Sequence, residues 1–278
     1  MLLLGVAGWY VANPPGRLPD TPDAALVEPT ADLPSNEAFA KLCESADAVA
    51  ALQASIRRYD REVHSFTALL HKRERINRQL HPTELVEVSF RNEPYSVLMR
   101  WREGVRSALV SLYVAGQHNN RMLIQRPSGW PRRVQLDPEG YFAGLESRYP
   151  ITKFGFRAAT ERTLKVWQEK QQVGELHVEY RGVQKLAELG ERPCHVLHRT
   201  TNSPEEDGLR QVTVYLDTQT WLQVGTRLVD GEGQLIGEYF FRDVRLNPDL
   251  PPEHFSDKQL SAAKLVKDRS PSKPDPNP

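Results

Sequence analysis

The residues of this chain best suited to chemistry stand in one run, Cys194-His195-Val196-Leu197-His198. A thiol and two imidazoles so close together are the ingredients of a metal site or of thiol catalysis. The surrounding pattern predicts a strand, and strand geometry works against both. Cys194 and His198 share a face but stand about 13 Å apart at about 3.3 Å per residue, whereas metal–ligand bonds are only about 2.0–2.3 Å long. His195 and His198 point to opposite faces. The run therefore reads as a half-buried strand, and no metal ligands are expected. His118-Asn119-Asn120 is an asparagine-rich turn. Glu205-Glu206-Asp207 precedes Gly208 in a polar loop, where carboxylates are expected to be solvated, and a general acid needs burial to raise its pKa. Trp101, Trp130, Trp167 and Trp221 are core-packing residues or walls of a ligand cavity. The chain has no glycine-rich phosphate loop, no nucleophile elbow and no His-Glu-x-x-His. The expectation is a protein that is not an enzyme and carries no cofactor.

Composition narrows the partners. The 278 residues hold 36 Lys and Arg against 36 Asp and Glu, and a wholesale nucleic-acid binder would be more basic. The charge is unevenly spread, with 15 basic and 7 acidic residues between Arg57 and Arg133. That excess suits anionic lipid or another acidic partner, or simply a solvated sheet face. Cys43 falls in a predicted helix and Cys194 in a predicted strand. Two cysteines make no disulfide framework and no zinc knuckle, and two separate buried thiols are expected rather than a bridge.

Four segments follow from the pattern along the chain. Residues 1–12, Met1 to Ala12, are almost wholly apolar but too short for a span of about 20 residues. They read as a signal or anchor remnant lacking a charged n-region. Residues 13–35 hold Pro14, Pro15, Pro19, Pro22, Pro29 and Pro34 and read as an extended linker. Residues 36–260 are the foldable domain, and 261–278 a charged, proline-rich tail expected to be disordered. Ser35 or Asn36 caps a helix running to about Glu62, with Phe39, Leu42, Ala46, Val49, Leu52 and Ile56 as one apolar stripe. After His64 the period becomes two: Phe66, Ala68, Leu70; Val86, Val88, Phe90; Val97, Met99, Trp101. Further strands are expected over 107–114 and 121–125, then, beyond a break at 137–155 and a second helix over Phe156–Gln171, over 175–181, 184–188, 193–200, 209–216, 222–228 and 235–242. Short connections imply antiparallel neighbours. The fold class is α+β: a strongly curved antiparallel sheet, an incomplete β-barrel of about ten or eleven strands, with two main helices packed on its concave side.

Several stretches carry a family resemblance. They are Ser65-Phe66-Thr67-Ala68 with Lys72-Arg73-Glu74-Arg75-Ile76, then Phe90 to Val97, Leu112 to Gly116 and Arg148 to Gly155. Gly190-Glu191-Arg192-Pro193-Cys194, Tyr215-Leu216-Asp217 and Tyr239 to Pro248 follow. In this order, over about residues 44 to 256, the chain resembles the bacterial domain of unknown function 1571 family. That family is similar in architecture to the LolA/LolB-like lipoprotein-carrier superfamily, in which a half-open barrel with a helical lid holds acyl chains in an apolar hollow. The shared motifs are structural and imply no activity. The resemblance implies a protein of the periplasm or cell envelope, exported or anchored by its N-terminus, that takes a lipid or a lipoprotein acyl chain. A sensor or scaffold domain binding another envelope protein is the alternative, and an enzyme of unknown type the third. The residues expected to line the hollow are Val88, Phe90, Val97, Met99, Trp101, Val178, Tyr180, Val214 and Val224.

Overall fold

The computed structural model describes residues 32–261. The apolar Met1–Ala12 segment, the linker up to residue 31 and the tail from 262 onward lie outside the described residues. The first helical stretch is two helices, α1 (Asn36–Glu44) and α2 (Ala48–Glu62), where one was expected. Asp47 decides the break. Its carboxylate accepts from the Ala50 N–H at 3.2 Å and caps α2, a place aspartate prefers to a helix interior. Ala46 takes the left-handed turn before it, at φ 56°. Phe39, Cys43, Val49, Leu52 and Ile56 still form one buried cluster.

The corner from α2 into β1 (Ser65–Ile76) is held by two asparagines. Asn92 donates to the Val63 carbonyl at 2.7 Å and accepts from the Tyr59 hydroxyl at 2.9 Å. Asn247 accepts from the His64 and Ser65 N–H groups and donates to the Glu62 carbonyl. The remaining strands are β2 (Gln79–Leu80), β3 (Glu84–Arg91), β4 (Ser96–Glu103), β5 (Val110–Val114), β6 (Met122–Gln125), β7 (Arg133–Leu136), β8 (His177–Gln184), β9 (Cys194–Thr200), β10 (Leu209–Asp217), β11 (Gln223–Asp230) and β12 (Leu235–Leu246). A short helix α3 (Tyr141–Gly144) and the long α4 (Phe156–Gln172) separate β7 from β8, and α5 (Lys258–Ser261) follows β12.

The strands form one open sheet of 12 strands in the order β7-β6-β5-β4-β3-β1-β12-β11-β10-β9-β8, with β2 on β1. Each half is a meander of antiparallel neighbours, and β1 joins the halves by pairing with β12. The first and last strands of the domain are thus the centre of the sheet, and its ends stay unpaired. Two short strands, β2 and β7, exceed the ten or eleven expected, being too brief to show a period. Conversely β8 is one strand where two were expected. A register shift between Tyr180 and Val183, with Gly182 at φ 78°, bends it without ending it.

Residues directly opposite in neighbouring strands share a face. Phe66, Phe90, Val97 and Tyr113 make one such row, Ala68, Val88, Met99 and Ser111 the next, and Leu70, Val86 and Trp101 a third. This is the concave face, and the helices lie on it. Phe156 at the start of α4 touches Phe66 and Phe241 with ring centroids 4.4 and 4.8 Å away. Farther along, α1, α2 and Trp167 of α4 pack with Leu197, Val212, Val214 and Leu216. The opposite face of β4–β6 carries Leu98, Val110, Leu112 and Leu123, buried with Phe255 and Leu260 of the C-terminal segment. Phe66 ties the central strand to α4. Replacing it with alanine should lower unfolding free energy by about 3–5 kcal/mol, measured by urea titration of the full chain; a loss below 1 kcal/mol would show that this aromatic contact does not hold the helix down.

Candidate ligand-binding hollow

Between the concave face, α4 and the segment 137–155 lies a hollow of about 510 Å³. Its apolar wall is Leu70, Val86, Met99, Trp101, Met122, Ile124 and Phe241, faced by Ile151, Phe154, Val166 and Trp167. The floor is closed by Phe66, Phe90 and Phe156. Gly155, the residue before α4, stands at φ 105°. That backbone is what calls for glycine, since an added Cβ would lie at ordinary contact distance, 3.4 Å, from the Phe90 ring. The segment Ile151–Phe154 is drawn in by the Tyr95 hydroxyl. It donates to the Ile151 carbonyl at 2.8 Å and accepts from the Phe154 N–H at 3.0 Å.

The other end of the hollow is charged, although buried. The inward alternation of β1 runs Phe66, Ala68, Leu70 and then continues as Lys72 and Glu74. Register places Lys72 opposite Glu84 on one side and Tyr239 on the other. The Lys72 ammonium donates to Glu74 at 2.9 Å and lies 3.6 Å from Glu84. Glu84 also accepts from the Trp101 indole N–H at 2.6 Å and from Arg106 at 3.3 Å. Glu74 accepts from the Tyr239 hydroxyl at 2.7 Å and from the Arg148 N–H at 3.4 Å. Tyr239 reaches Glu74 by leaning over Gly237, where an added Cβ would meet its hydroxyl at 3.2 Å. Burial opposes the charge on Glu74, but Lys72 and the Tyr239 hydroxyl outweigh it and hold the carboxyl below the usual range. Burial likewise opposes the charge on Lys72, and Glu74 with Glu84 outweighs it, so the ammonium stays above the ordinary lysine range. Burial and Glu74 push the Tyr239 phenol well up.

A second buried cation lines the hollow. Arg199, opposite Val178 and Val212, is 1% exposed along its side chain and forms a two-pronged pair with Glu205. This corrects the expectation of a merely solvated acidic loop: Glu205 holds Arg199, and Asp207 accepts from Arg148 at 2.6 Å. Glu206 is exposed and lines the hollow beside them. Gln223, also buried here, donates to the hydroxyls of Thr163 and Thr226. Of these residues, Trp101, Glu205, Glu206 and Asp207 were weighed from the sequence, whereas Lys72, Glu74, Glu84, Arg106, Arg199 and Gln223 were not considered as part of a site. The signal was present in β1, where the period-two count carries past Leu70 onto Lys72 and Glu74.

Of the nine residues expected to line the hollow, Met99 and Trp101 do so. Val88, Phe90 and Val97 share their face but are packed into the core around Phe66. Val214 is buried against α1 and α2, and Val178 and Tyr180 pack at the edge of that cluster. Val224 is buried at the register shift between Tyr215 and Leu216. In the Cys194–His198 run, His195 meets the Tyr180 hydroxyl at 3.0 Å and His198 the Thr213 hydroxyl at 2.9 Å. Burial holds both imidazoles below the ordinary range. Cys43 and Cys194 are free, buried thiols, each pushed up to about 12, by burial first and then by Glu44 and Asp217 respectively. Among the described residues, no group of three or more His, Cys, Asp or Glu side chains is arranged to hold a metal ion. Trp221 stacks on Phe39 at 4.5 Å, whereas Trp130 is 92% exposed.

Fold and hollow together define an α+β protein built on an open, curled antiparallel sheet with an apolar hollow charged at one end. The chain belongs to the family of proteins of unknown function DUF1571, which matches residues 63–263 and so agrees with the resemblance read from the sequence. No curated protein sequence is significantly similar to it. Among solved structures, the Pseudomonas aeruginosa MucA/MucB complex is similar at 16% identity and a TM-score of 0.45, over 79% of this chain and 63% of that one. The chain thus spans less than two thirds of the length of the chain it matches there. The Mycobacterium tuberculosis lipoprotein LppX is similar at 11% identity and 0.42, over 73% and 98%. A LolA superfamily protein from Nitrosomonas europaea is similar at 11% and 0.34, over 75% and 98%. Scores and identities this low attach no function to the chain. Among the described residues no helix is long and apolar enough to cross a membrane.

The charged end sets an expected pH profile. Glu74, with its pKa lowered on folding, contributes stability that is present above the unfolded value of about 4.3 and lost as pH falls through its folded value. Lys72, with its pKa raised, contributes stability present below about 10.4 and lost as pH climbs through its folded value. Lys72→Met leaves Glu74 without its buried cation and should cost about 3–5 kcal/mol at neutral pH, while Lys72→Met with Glu74→Leu should recover most of that loss. Denaturant titrations across pH check both; an unchanged acid limb in Glu74→Gln would show that Glu74 is not charged in the folded state.

Proposed function

We propose that the chain is a non-catalytic binding protein of the cell envelope that holds an amphipathic molecule in the hollow. The observation that carries this reading is the hollow itself. Its volume of about 510 Å³ falls within the range of about 300–1,000 Å³ found for small-molecule sites. Its wall at Leu70, Val86, Met99, Trp101 and Phe241 suits an acyl chain. Lys72, Arg106, Arg148 and Arg199 stand at the polar end, each already paired: with Glu74, with Glu84 and Glu146, with Asp207 and with Glu205. An end whose cations are already paired with carboxylates suits an ester or zwitterionic head group, to whose oxygens the buried, unpartnered Nε atoms of Arg148 and Arg199 can donate. A lipid, or the acyl chain of a lipoprotein, has this chemistry. The apolar Met1–Ala12 and the proline-rich 13–35 support export or anchoring ahead of the domain.

The test is twofold. The full chain, purified from a bacterial membrane-containing host, should yield a lipid on organic extraction and mass spectrometry. It should also bind the fluorescent fatty acid cis-parinaric acid saturably. Met99→Trp, which narrows the hollow, should weaken that binding about tenfold and leave the urea midpoint unchanged. A chain that neither carries lipid nor binds the probe ends the reading. It would point instead to a protein partner at the unpaired edges of β7 and β8.

A further inference from the structure

The turn from β6 to β7 places the most solvent-exposed large apolar side chain of the described residues at its tip: Trp130 is 92% exposed. Hydrophobic surface of that size is left in water at a cost, and indole combines an apolar body with an N–H donor, the combination enriched at membrane–water interfaces. The surrounding sequence is one-signed. From Arg121 through Leu136 the chain holds Arg121, Arg126, Arg132 and Arg133 and no Asp or Glu. The turn is also built rather than slack. The Arg126 N–H donates to the Arg132 carbonyl at 2.8 Å, the Arg132 guanidinium donates to the Pro127 carbonyl at 3.2 Å, and an added Cβ at Gly129 would meet the Arg126 guanidinium at 3.2 Å. Two arginines therefore bracket the loop that carries the indole.

Its position in the sheet matters. The Trp101 N–H donates to the Leu109 carbonyl, and the Leu109 N–H to the Gln125 carbonyl, so the hairpin continues beyond the row of Trp101. That is the end of the sheet where Lys72 and Glu84 stand. Of the carboxylates nearby, Glu84 and Glu146 are engaged by Arg106 and Glu87 by Arg102, Asp137 accepts from the Glu139 N–H and Glu139 from the Thr152 hydroxyl, and Glu103 is exposed at the end of β4. Arg132 is thus exposed, and Arg126 half-buried, at the charged end of the hollow. We propose that this hairpin docks the domain on an anionic lipid bilayer, with Trp130 in the head-group layer and Arg126 and Arg132 on lipid phosphates, so that the charged end of the hollow faces the membrane. Charge complementarity is the argument for this partner, and the proposal does not depend on what the hollow binds.

Cys43 and Cys194 are both buried, so Trp130→Cys in the full chain offers one accessible thiol for an environment-sensitive nitrobenzoxadiazole dye. Added to vesicles of phosphatidylcholine with phosphatidylglycerol, the dye should brighten and shift to the blue. Salt should reverse the change, and vesicles of phosphatidylcholine alone should not produce it. Arg126→Gln with Arg132→Gln, in the labelled chain, should raise the lipid concentration for half-maximal response about 25-fold, at about fivefold per arginine. A dye that stays in water while the chain floats with anionic vesicles would overturn the proposal, because another segment would then be the anchor. An equal response on neutral vesicles would overturn it too. Urea midpoints equal to that of the labelled parent show that the arginine variants remain folded, and the labelled parent decides the question even where they do not.

Discussion

The pairing of β1 with β12 holds the two halves of the sheet together. It brings Phe66 opposite Leu246 and Glu74 opposite Gly237, so two meanders far apart in the chain become one sheet. Loop-closure entropy grows only slowly with length, and one pairing of this extent closes the whole intervening chain. Asn247 secures one end of it by bonding the backbone on both sides of Val63. At the other end, Tyr239 of β12 bonds Glu74 of β1. The same pairing sets the two walls of the hollow, Leu70 and Val86 on one side and Phe241 and Tyr239 on the other.

An open sheet of 12 strands twists and curls, and a concave apolar face cannot be left in water. The protein fills it unequally. At the floor, Phe66, Phe90, Phe156 and Phe241 interlock with the start of α4. Under α1 and α2, Leu52, Leu197, Val214 and Trp221 close the other half. Between them α4 stands off the sheet, and space remains. The hollow is therefore the part of one concave face that the helices do not reach.

The charged end works by a different balance. Lys72, Glu74 and Glu84 have little contact with water, and each alone would be costly to bury. Together with Tyr239, Trp101 and Arg106 they satisfy one another. Such a cluster adds little net stability compared with apolar packing, yet it is sensitive to the loss of any one member. It also keeps the hollow from closing as a dry core, because the paired groups resist apolar filling from that side. The convex face of β4–β6 is covered by Phe255 and Leu260, with Arg100 donating to the Gln259 carbonyl at its margin.

Much of this was legible in the residues. Period-two runs at Phe66–Leu70, Val86–Phe90 and Val97–Trp101 determine strands and their inward faces, and the short connections determine antiparallel neighbours. The Phe156–Gln171 stripe determines α4 to within one residue of its observed end, and the spacing of Cys194 and His198 rules out one metal held between them. What the pattern left open is what non-local packing decides. The break at Asp47 is the local exception: its cap on Ala50 was hidden by an apolar stripe that runs across it. Whether Val88 or Val86 meets the hollow depends on where α4 stands off, since alternation assigns a face but not the height of the lid above it. Lys72 and Glu74 look like solvent-facing charges until register sets them against Glu84 and Tyr239. Residue pattern alone is enough for an α+β curled sheet with an apolar concave face. That part of this face stays open and ends in a buried charge cluster follows from packing, because burial and pairing are properties of strands brought together from opposite ends of the chain.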